Sequence, residues 1–158
     1  MLMLISPAKS LDFDRPPAAL PATSARFADK TERLVKGLSN MSAKRLQEIM
    51  PVSDKLIDLN RSRYADFFAQ PEKPAIHAYN GDVYTGFEAD SLDEEALAFA
   101  QDHLRILSGL YGLLRPYDEI RAHRLEMGTK WAPRHKKLTD YWGHDIADAV
   151  AADADAVD

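Results

Sequence analysis

The chain opens on an unbroken apolar run, Met1-Leu2-Met3-Leu4-Ile5, which reads as a fully buried strand closed by Pro7. Asp14 to Ser24 carries Pro16, Pro17 and Pro21 and reads as a loop. From Ala25 to Leu38 the positions of Phe27, Leu34 and Leu38 have helical spacing, with alternating charges between them. Ser42 is a good N-cap for a short helix through Met50, Pro51 stops it, and Ser53 caps a second helix reaching about Phe68. Ala75 to Tyr79 reads as a second strand. Ser91-Leu92-Asp93-Glu94 is a capping-box pattern for a helix ending near His103. Leu104 to Leu107 is a third strand, and Leu113 to Gly128 is either strand or extended loop. Thr139 caps a last helix in which Trp142, Ile146 and Val150 are four apart. Strands alternating with helices predict an α/β (mixed α+β) fold: a small, at least partly parallel sheet with flanking helices.

Composition changes this picture little. The 158 residues fit one domain, 1–158, and 46% hydrophobic with 28% charged residues is ordinary for a globular chain. No apolar run approaches a membrane span and nothing resembles a signal peptide, so no membrane partner and a cytoplasmic location are expected. The chain has no cysteine, which excludes disulfides, thiolate metal sites and a cysteine nucleophile.

Charge is more informative in its distribution than in its net value of −5. Arg26 to Arg63 holds nine basic against five acidic residues, and His103 to Lys137 holds eight against three. Asp82 to Asp102 has seven acids and no Lys or Arg, and Asp140 to Asp158 has six and none. Two basic blocks in an acidic protein argue against indiscriminate nucleic-acid binding and permit a local anion site, although solvated helix faces have the same look.

In open α/β sheets ligands bind beyond the carboxyl ends of strands. Here each predicted strand runs into a polar segment: Ser6-Pro7-Ala8-Lys9, then Asn80-Gly81-Asp82-Val83-Tyr84-Thr85-Gly86, then Ser108-Gly109-Leu110-Tyr111-Gly112 continuing to Arg115-Pro116. With parallel strands these segments share one rim, and Lys9, Asp82, Tyr84, Ser108, Tyr111 and Arg115 face one crevice. That set supplies cations for an anion, a carboxylate for acid–base work and aromatic surfaces for a ring. Each piece also has a plain structural reading. Asn80-Gly81 is a favoured type I′ turn, Tyr111 fits a core, and Arg115-Pro116 fits an ordinary turn. Arg124-Leu125-Glu126-Met127 alternates like an edge strand, with an Arg–Glu pair on one face. The five histidines form no short ligand motif, so no metal site and no cofactor are expected, and the absence of G-x-S-x-G leaves a serine triad unsupported.

The helices at 42–50 and 53–68, joined by Pro51-Val52-Ser53, have the outline of a helix-hairpin-helix. In such a unit the second helix's first amides can hold a DNA phosphate, with Ser53, Lys55, Arg61 and Arg63 as the candidate residues. The connection lacks glycine and Asp54 sits in the first turn, so by spacing alone a plain αα-hairpin fits better.

Longer motifs run through the chain in order. They are Ser6-Pro7-Ala8-Lys9-Ser10-Leu11-Asp12, Ser53-Asp54-Lys55-Leu56 with Leu59-Asn60, and Gly81-Asp82-Val83-Tyr84-Thr85-Gly86. The densest stretch is Leu104 through Gly112, Leu114 to Asp118, and Arg124 to Gly128, followed by Tyr141-Trp142-Gly143. On these motifs the sequence resembles the YaaA-like peroxide stress protein family. The resemblance implies a cytoplasmic bacterial protein that limits oxidation of DNA and protein under hydrogen peroxide by keeping unincorporated iron low. It implies an α/β fold of roughly 250 residues with a helix-hairpin-helix, here on 42–68, a basic cleft and binding to double-stranded DNA. It implies no particular reaction. Asn80 stands where lysine is expected and His123 where tyrosine is usual. The family pattern continues with a further strand and an arginine-rich stretch, so the chain is expected to be the amino-terminal part of that fold. The alternative to a DNA-associated stress protein is an enzyme for a small anionic or nucleotide-like ligand. Its candidate residues are Lys9, Asp82, Tyr84, Tyr111, Arg115 and Glu126. Direct iron sequestration ranks last, because the ligand set is poor.

Overall fold

The computed structural model describes residues 1–17 and 20–158. Strand β1 is Met3–Ile5 and β2 is Ser10–Leu11. Helix α1, Ala28–Ser39, buries Thr31, Leu34, Val35 and Leu38, the one-sided stripe its apolar spacing dictates. Helix α2, Ala43–Ile49, starts at Ser42, whose Oγ accepts from the Arg45 amide at 3.1 Å. Helix α3, Asp54–Ala65, starts at Ser53 in the same way and packs on both α1 and α2. The Gln47 side-chain amide donates to the Val52 carbonyl and ties down the connection between α2 and α3.

The next segment departs from the predicted strand. Lys73–Pro74 forms β3, antiparallel to Glu119–Ile120, and Ala75–Ala78 is a single helical turn, α4. The Ala75 and Ile76 amides donate to the carbonyls of Asp118 and Pro116, both at 2.9 Å, so they are spent on a turn and no ladder continues. Only Tyr79–Asn80 is extended, as β4, antiparallel to β2. The type I′ hairpin does not form either. Gly81 is extended, with φ −170°, and leads into helix α5, Asp82–Phe87. Helix α6, Glu94–His103, is capped by Asp93, whose Oδ1 accepts from the Ala96 amide at 2.8 Å. Ser91, the predicted cap, instead donates to Glu88 O within the preceding turn.

Strand β5, Leu104–Ser108, is the centre of a three-stranded sheet in the order β1-β5-β6. β1 runs parallel to it, Ile5 against Ile106, and β6, Gly112–Leu114, runs antiparallel. Strand β7 is Glu119–Ile120. β1 is not fully buried: Met3 and Leu4 are 39% and 46% exposed, because β5 borders it on one side only among the described residues. Residues 124–127 form a loop, not an edge strand. The final helix is two helices. α7, Leu138–Trp142, stops at Gly143, whose φ of +52° breaks the α path, and α8 is Asp145–Val157. The fold class is the mixed α/β one predicted, with a parallel pair in a small mixed sheet. One hydrophobic cluster joins α1, α2 and α3 to the sheet and to α7. Among the described residues no helix is long and apolar enough to cross a membrane.

Candidate ligand cleft at the strand ends

Because β1 and β5 are parallel neighbours, they end side by side, at Ser6-Pro7-Ala8-Lys9 and at Ser108-Gly109. Gly109 lets the backbone of another loop close over this point. A Cβ there would stand 2.3 Å from the Leu125 carbonyl oxygen, closer than any side chain tolerates. The loop so admitted brings His123, Arg124 and Glu126 to the strand ends. Trp142 Nε1 donates to Gly109 O at 2.9 Å and sets α7 as the far wall. Tyr84 Oη donates to Ser6 O at 2.7 Å and holds the near wall. Tyr64, on α3, donates its hydroxyl to Arg124 O at 2.6 Å, so the helix pair braces the same loop.

Between these walls is a cavity of about 470 Å³, lined mostly by apolar groups that include Leu107, Leu125, Met127, Trp142 and Ile146. That is the size and character of a small-molecule site. Its charges lie outward. Lys9 Nζ is 3.4 Å and Arg124 Nη2 3.6 Å from the same Glu126 Oε1, so two cations share one carboxylate. The Lys9 and Glu126 side chains are 71% and 56% exposed, and that of Arg124 only 20%, which grades the group from rim to interior.

Apart from the inward edge of Arg124, the interior is neutral. Tyr79, Ser108 and His123 are buried. His123 Nδ1 lies 2.7 Å from the Arg121 carbonyl, an acceptor, so Nδ1 carries the proton and Nε2 keeps the lone pair. Burial lowers the His123 pKa to about 4, leaving the ring uncharged at neutral pH. Burial raises the Tyr79 phenol to about 12. The Tyr79 hydroxyl end stands at Ser108, yet among the described residues neither Tyr79 Oη nor the covered Nε of Arg124 has a partner in hydrogen-bonding geometry. Both residues line the cavity.

Of the predicted site residues, Lys9, Ser108 and Glu126 line this cleft. Tyr84 stands behind it as a brace. Tyr111 packs its ring 5.3 Å from that of His123, accepts from the Arg121 amide at 2.9 Å, and lines a separate cavity of about 230 Å³. Asp82 is exposed on the first turn of α5, apart from the cleft lining. Arg115 is bound into a turn, its Nη2 2.9 Å and Nε 3.1 Å from Asp118 Oδ1, and is likewise apart from the cleft. On α3, Ser53 Oγ accepts from the Leu56 amide at 3.4 Å, Lys55 and Arg61 are exposed, and Arg63 donates to Asn60 Oδ1 at 3.3 Å. At 3.6 residues per turn, Arg61 and Arg63 point about 160° apart. Among the lining residues that escaped the candidate list are Tyr79, Trp142, His123 and Arg124, the last read only as the partner of Glu126. Tyr79 and Trp142 look like core in a sequence, and they are core except for the face toward the cavity. His123 carries no spacing signal, since it stands alone in its loop. Among the described residues no group of three or more His, Cys, Asp or Glu side chains is placed to hold a metal ion.

A model of the family described as peroxide stress protein YaaA matches residues 1–158. A UPF0246 protein of Rhizorhabdus wittichii (strain RW1) is 58% identical over 154 residues, 97% of this chain and 61% of the relative. One from Caulobacter sp. (strain K31) is 48% identical over 155 residues, covering 96% of this chain and 61% of its own length. One from Paraburkholderia phytofirmans (strain PsJN) is 45% identical over 157 residues, covering 96% and 60%. The chain therefore spans about three-fifths of the length of these curated relatives.

Proposed function

The chain belongs to the peroxide stress protein YaaA family, and from that membership we propose that it serves a cytoplasmic peroxide stress response by binding a small anionic ligand in the cleft between β1 and β5. The observation that carries the reading is the pair of covered polar atoms, Tyr79 Oη and Arg124 Nε, left without partners among the described residues on two side chains that line one cavity. A buried unpaired polar group costs about 1–3 kcal/mol, and a native chain that keeps two in one cavity has a use for them. Lys9 and Arg124, sharing the single carboxylate of Glu126, leave one positive charge to attract the anion. The lowering of unincorporated iron that the family resemblance implies is then exerted through the bound ligand.

Phenyl phosphate, a flat apolar ring with one anion, is a suitable probe for calorimetric titration. The wild-type chain is expected to bind it at a single site, and Lys9→Met to weaken it about tenfold, the value of one charge-assisted hydrogen bond. Heat-silent mixing at millimolar probe, or a Lys9→Met chain that binds equally well, would sink the reading.

A second reading, binding of double-stranded DNA at α2 and α3, is favoured by Lys55 and Arg61. Both are exposed and outside any ion pair among the described residues. Duplex anisotropy across a salt series tests it. A steep salt slope that Lys55→Ala and Arg61→Ala flatten supports a phosphate contact, and a slope they leave unchanged removes it.

A further inference from the structure

The interior of the cleft specifies more than an anion, and the step taken here rests on the cleft being a ligand site. We infer that it takes a nucleobase carrying a phosphate, with the base at the neutral interior and the phosphate at the rim.

The order of the groups with depth is the first ground. Exposed Lys9 marks the rim and half-exposed Glu126 stands beside it, while Tyr79, Ser108 and His123 are buried. A ligand that satisfies both ends is charged at one end and neutral but hydrogen-bonding at the other. Between them the apolar side chains of Leu107, Leu125, Met127 and Ile146 and the indole of Trp142 suit a flat ring.

The second ground is which hydrogen-bonding groups remain free. Arg124 Nε–H is a covered donor with no acceptor among the described residues. His123 Nε2 is an acceptor, because its Nδ1 proton is held by the Arg121 carbonyl. Tyr79 Oη serves in either sense. A plain aromatic acid meets none of these. A sugar phosphate meets them but leaves the apolar walls against hydroxyls. A nucleobase edge sets donors and acceptors next to each other on a flat ring and meets both demands. A cavity of about 470 Å³ has room for the base and its sugar phosphate.

The same chemistry comes from two sources, a free mononucleotide or an unpaired base swung out of DNA. The test is calorimetric titration of the 158-residue chain with the nucleoside 5′-monophosphates, with phenyl phosphate, and with two DNA hairpins, one fully paired and one with a single unpaired base. At least one monophosphate is expected to bind ten times or more tighter than phenyl phosphate. Tyr79→Phe is expected to weaken that nucleotide roughly three- to tenfold, as the loss of one hydrogen bond does, and to weaken phenyl phosphate by less. A hairpin with an unpaired base that outcompetes the free nucleotide assigns the source to DNA, and one that competes no better than its paired partner assigns it to the free nucleotide. Phenyl phosphate binding as tightly as every mononucleotide overturns the inference while the anion cleft stands. No binding by any of them overturns both. The wild-type comparison alone decides between these outcomes, whether or not the Tyr79→Phe chain folds.

Discussion

The Tyr117 hydroxyl donates to Nε2 of His77 across 2.7 Å, with both side chains buried. A ring nitrogen that accepts from a phenol carries no proton, so the proton sits on Nδ1, which faces Asp90 Oδ1 at 3.0 Å. Burial lowers the His77 pKa, in keeping with a neutral ring. The contact joins the α4 turn to the turn at 115–118, and through Asp90 to the turn before α6. Tyr117→Phe removes the donor and leaves Nε2 buried and unpaired. The expected loss is about 1–3 kcal/mol, read as a lower urea midpoint with unchanged slope.

Two glycines make opposite predictions. Gly109→Ala places a methyl against the Leu125 carbonyl, 2.3 Å from its oxygen, and neither backbone can retreat without opening the cleft. A loss of about 3 kcal/mol is expected, with a shift in Trp142 fluorescence as its bond to Gly109 O is disturbed. Gly86 lies inside α5 with no neighbour among the described residues within 4 Å of its would-be side chain. Gly86→Ala should raise stability by up to about 1 kcal/mol, the helix-propensity difference. Urea unfolding of the two variants beside wild type checks both signs.

The cleft was legible in the sequence where its residues lie next to a strand end, and illegible where they arrive from elsewhere. Ile5 and Leu107 sit in apolar runs, so Lys9 and Ser108 could be placed beyond strand ends, and the parallel β1–β5 pair puts them side by side. Glu126 was named for its pairing with Arg124, and that pair forms at 3.6 Å, but on a loop, because Gly109 receives the loop's backbone face-on. Asp82 and Arg115 were grouped with Lys9 on the assumption that three strands are parallel. The second segment lies in another ladder, with β2, and β6 turns back antiparallel, which carries Arg115 to Asp118. Local apolar alternation does not distinguish Ala75–Tyr79 as strand from a helical turn. The choice is made by the carbonyls of Pro116 and Asp118, forty residues away in the chain, which capture the amides. The caps at Ser42 and Ser53 were legible because a capping bond spans three residues and needs no tertiary partner.

His123 sets an acid limit on stability. Its folded pKa is about 4, against 6.5 ordinarily, because the buried ring resists charging. Between those values the unfolded chain binds the proton and the folded chain does not, so stability falls as pH drops from about 6.5 to 4. The shift corresponds to about 3 kcal/mol over that window. Glu119 works in the opposite sense. Its hydrogen bond to Glu72 raises its pKa to about 7, so it favours the folded state below that pH and loses this contribution as pH rises through 7. The two give opposing slopes near pH 5–6. His123→Phe should therefore leave a chain whose urea midpoint rises from pH 6.5 to 5, where the opposing contributions of His123 and Glu119 hold the wild type's nearly level. The same pH course in both chains would remove His123 as the source of the acid limit.

Tyr79→Phe separates what the unliganded fold wants from what the cleft keeps. In wild type the hydroxyl is buried and unpaired among the described residues, so it contributes a desolvation cost and no bond. Its removal leaves the ring packing against Tyr84, 5.4 Å between centroids, undisturbed. The unliganded variant should be more stable than wild type by about 1 kcal/mol, a rise of about 3 °C in melting temperature for a chain of this size. Saturating ligand should narrow or reverse that ordering, because a ligand that pairs with Tyr79 stabilises wild type by mass action and the variant less. Differential scanning calorimetry of both chains, with and without ligand, reads the two orderings directly. A variant less stable than wild type when unliganded would mean that the hydroxyl already has a partner in the fold, and the cleft would lose one of its two free polar atoms.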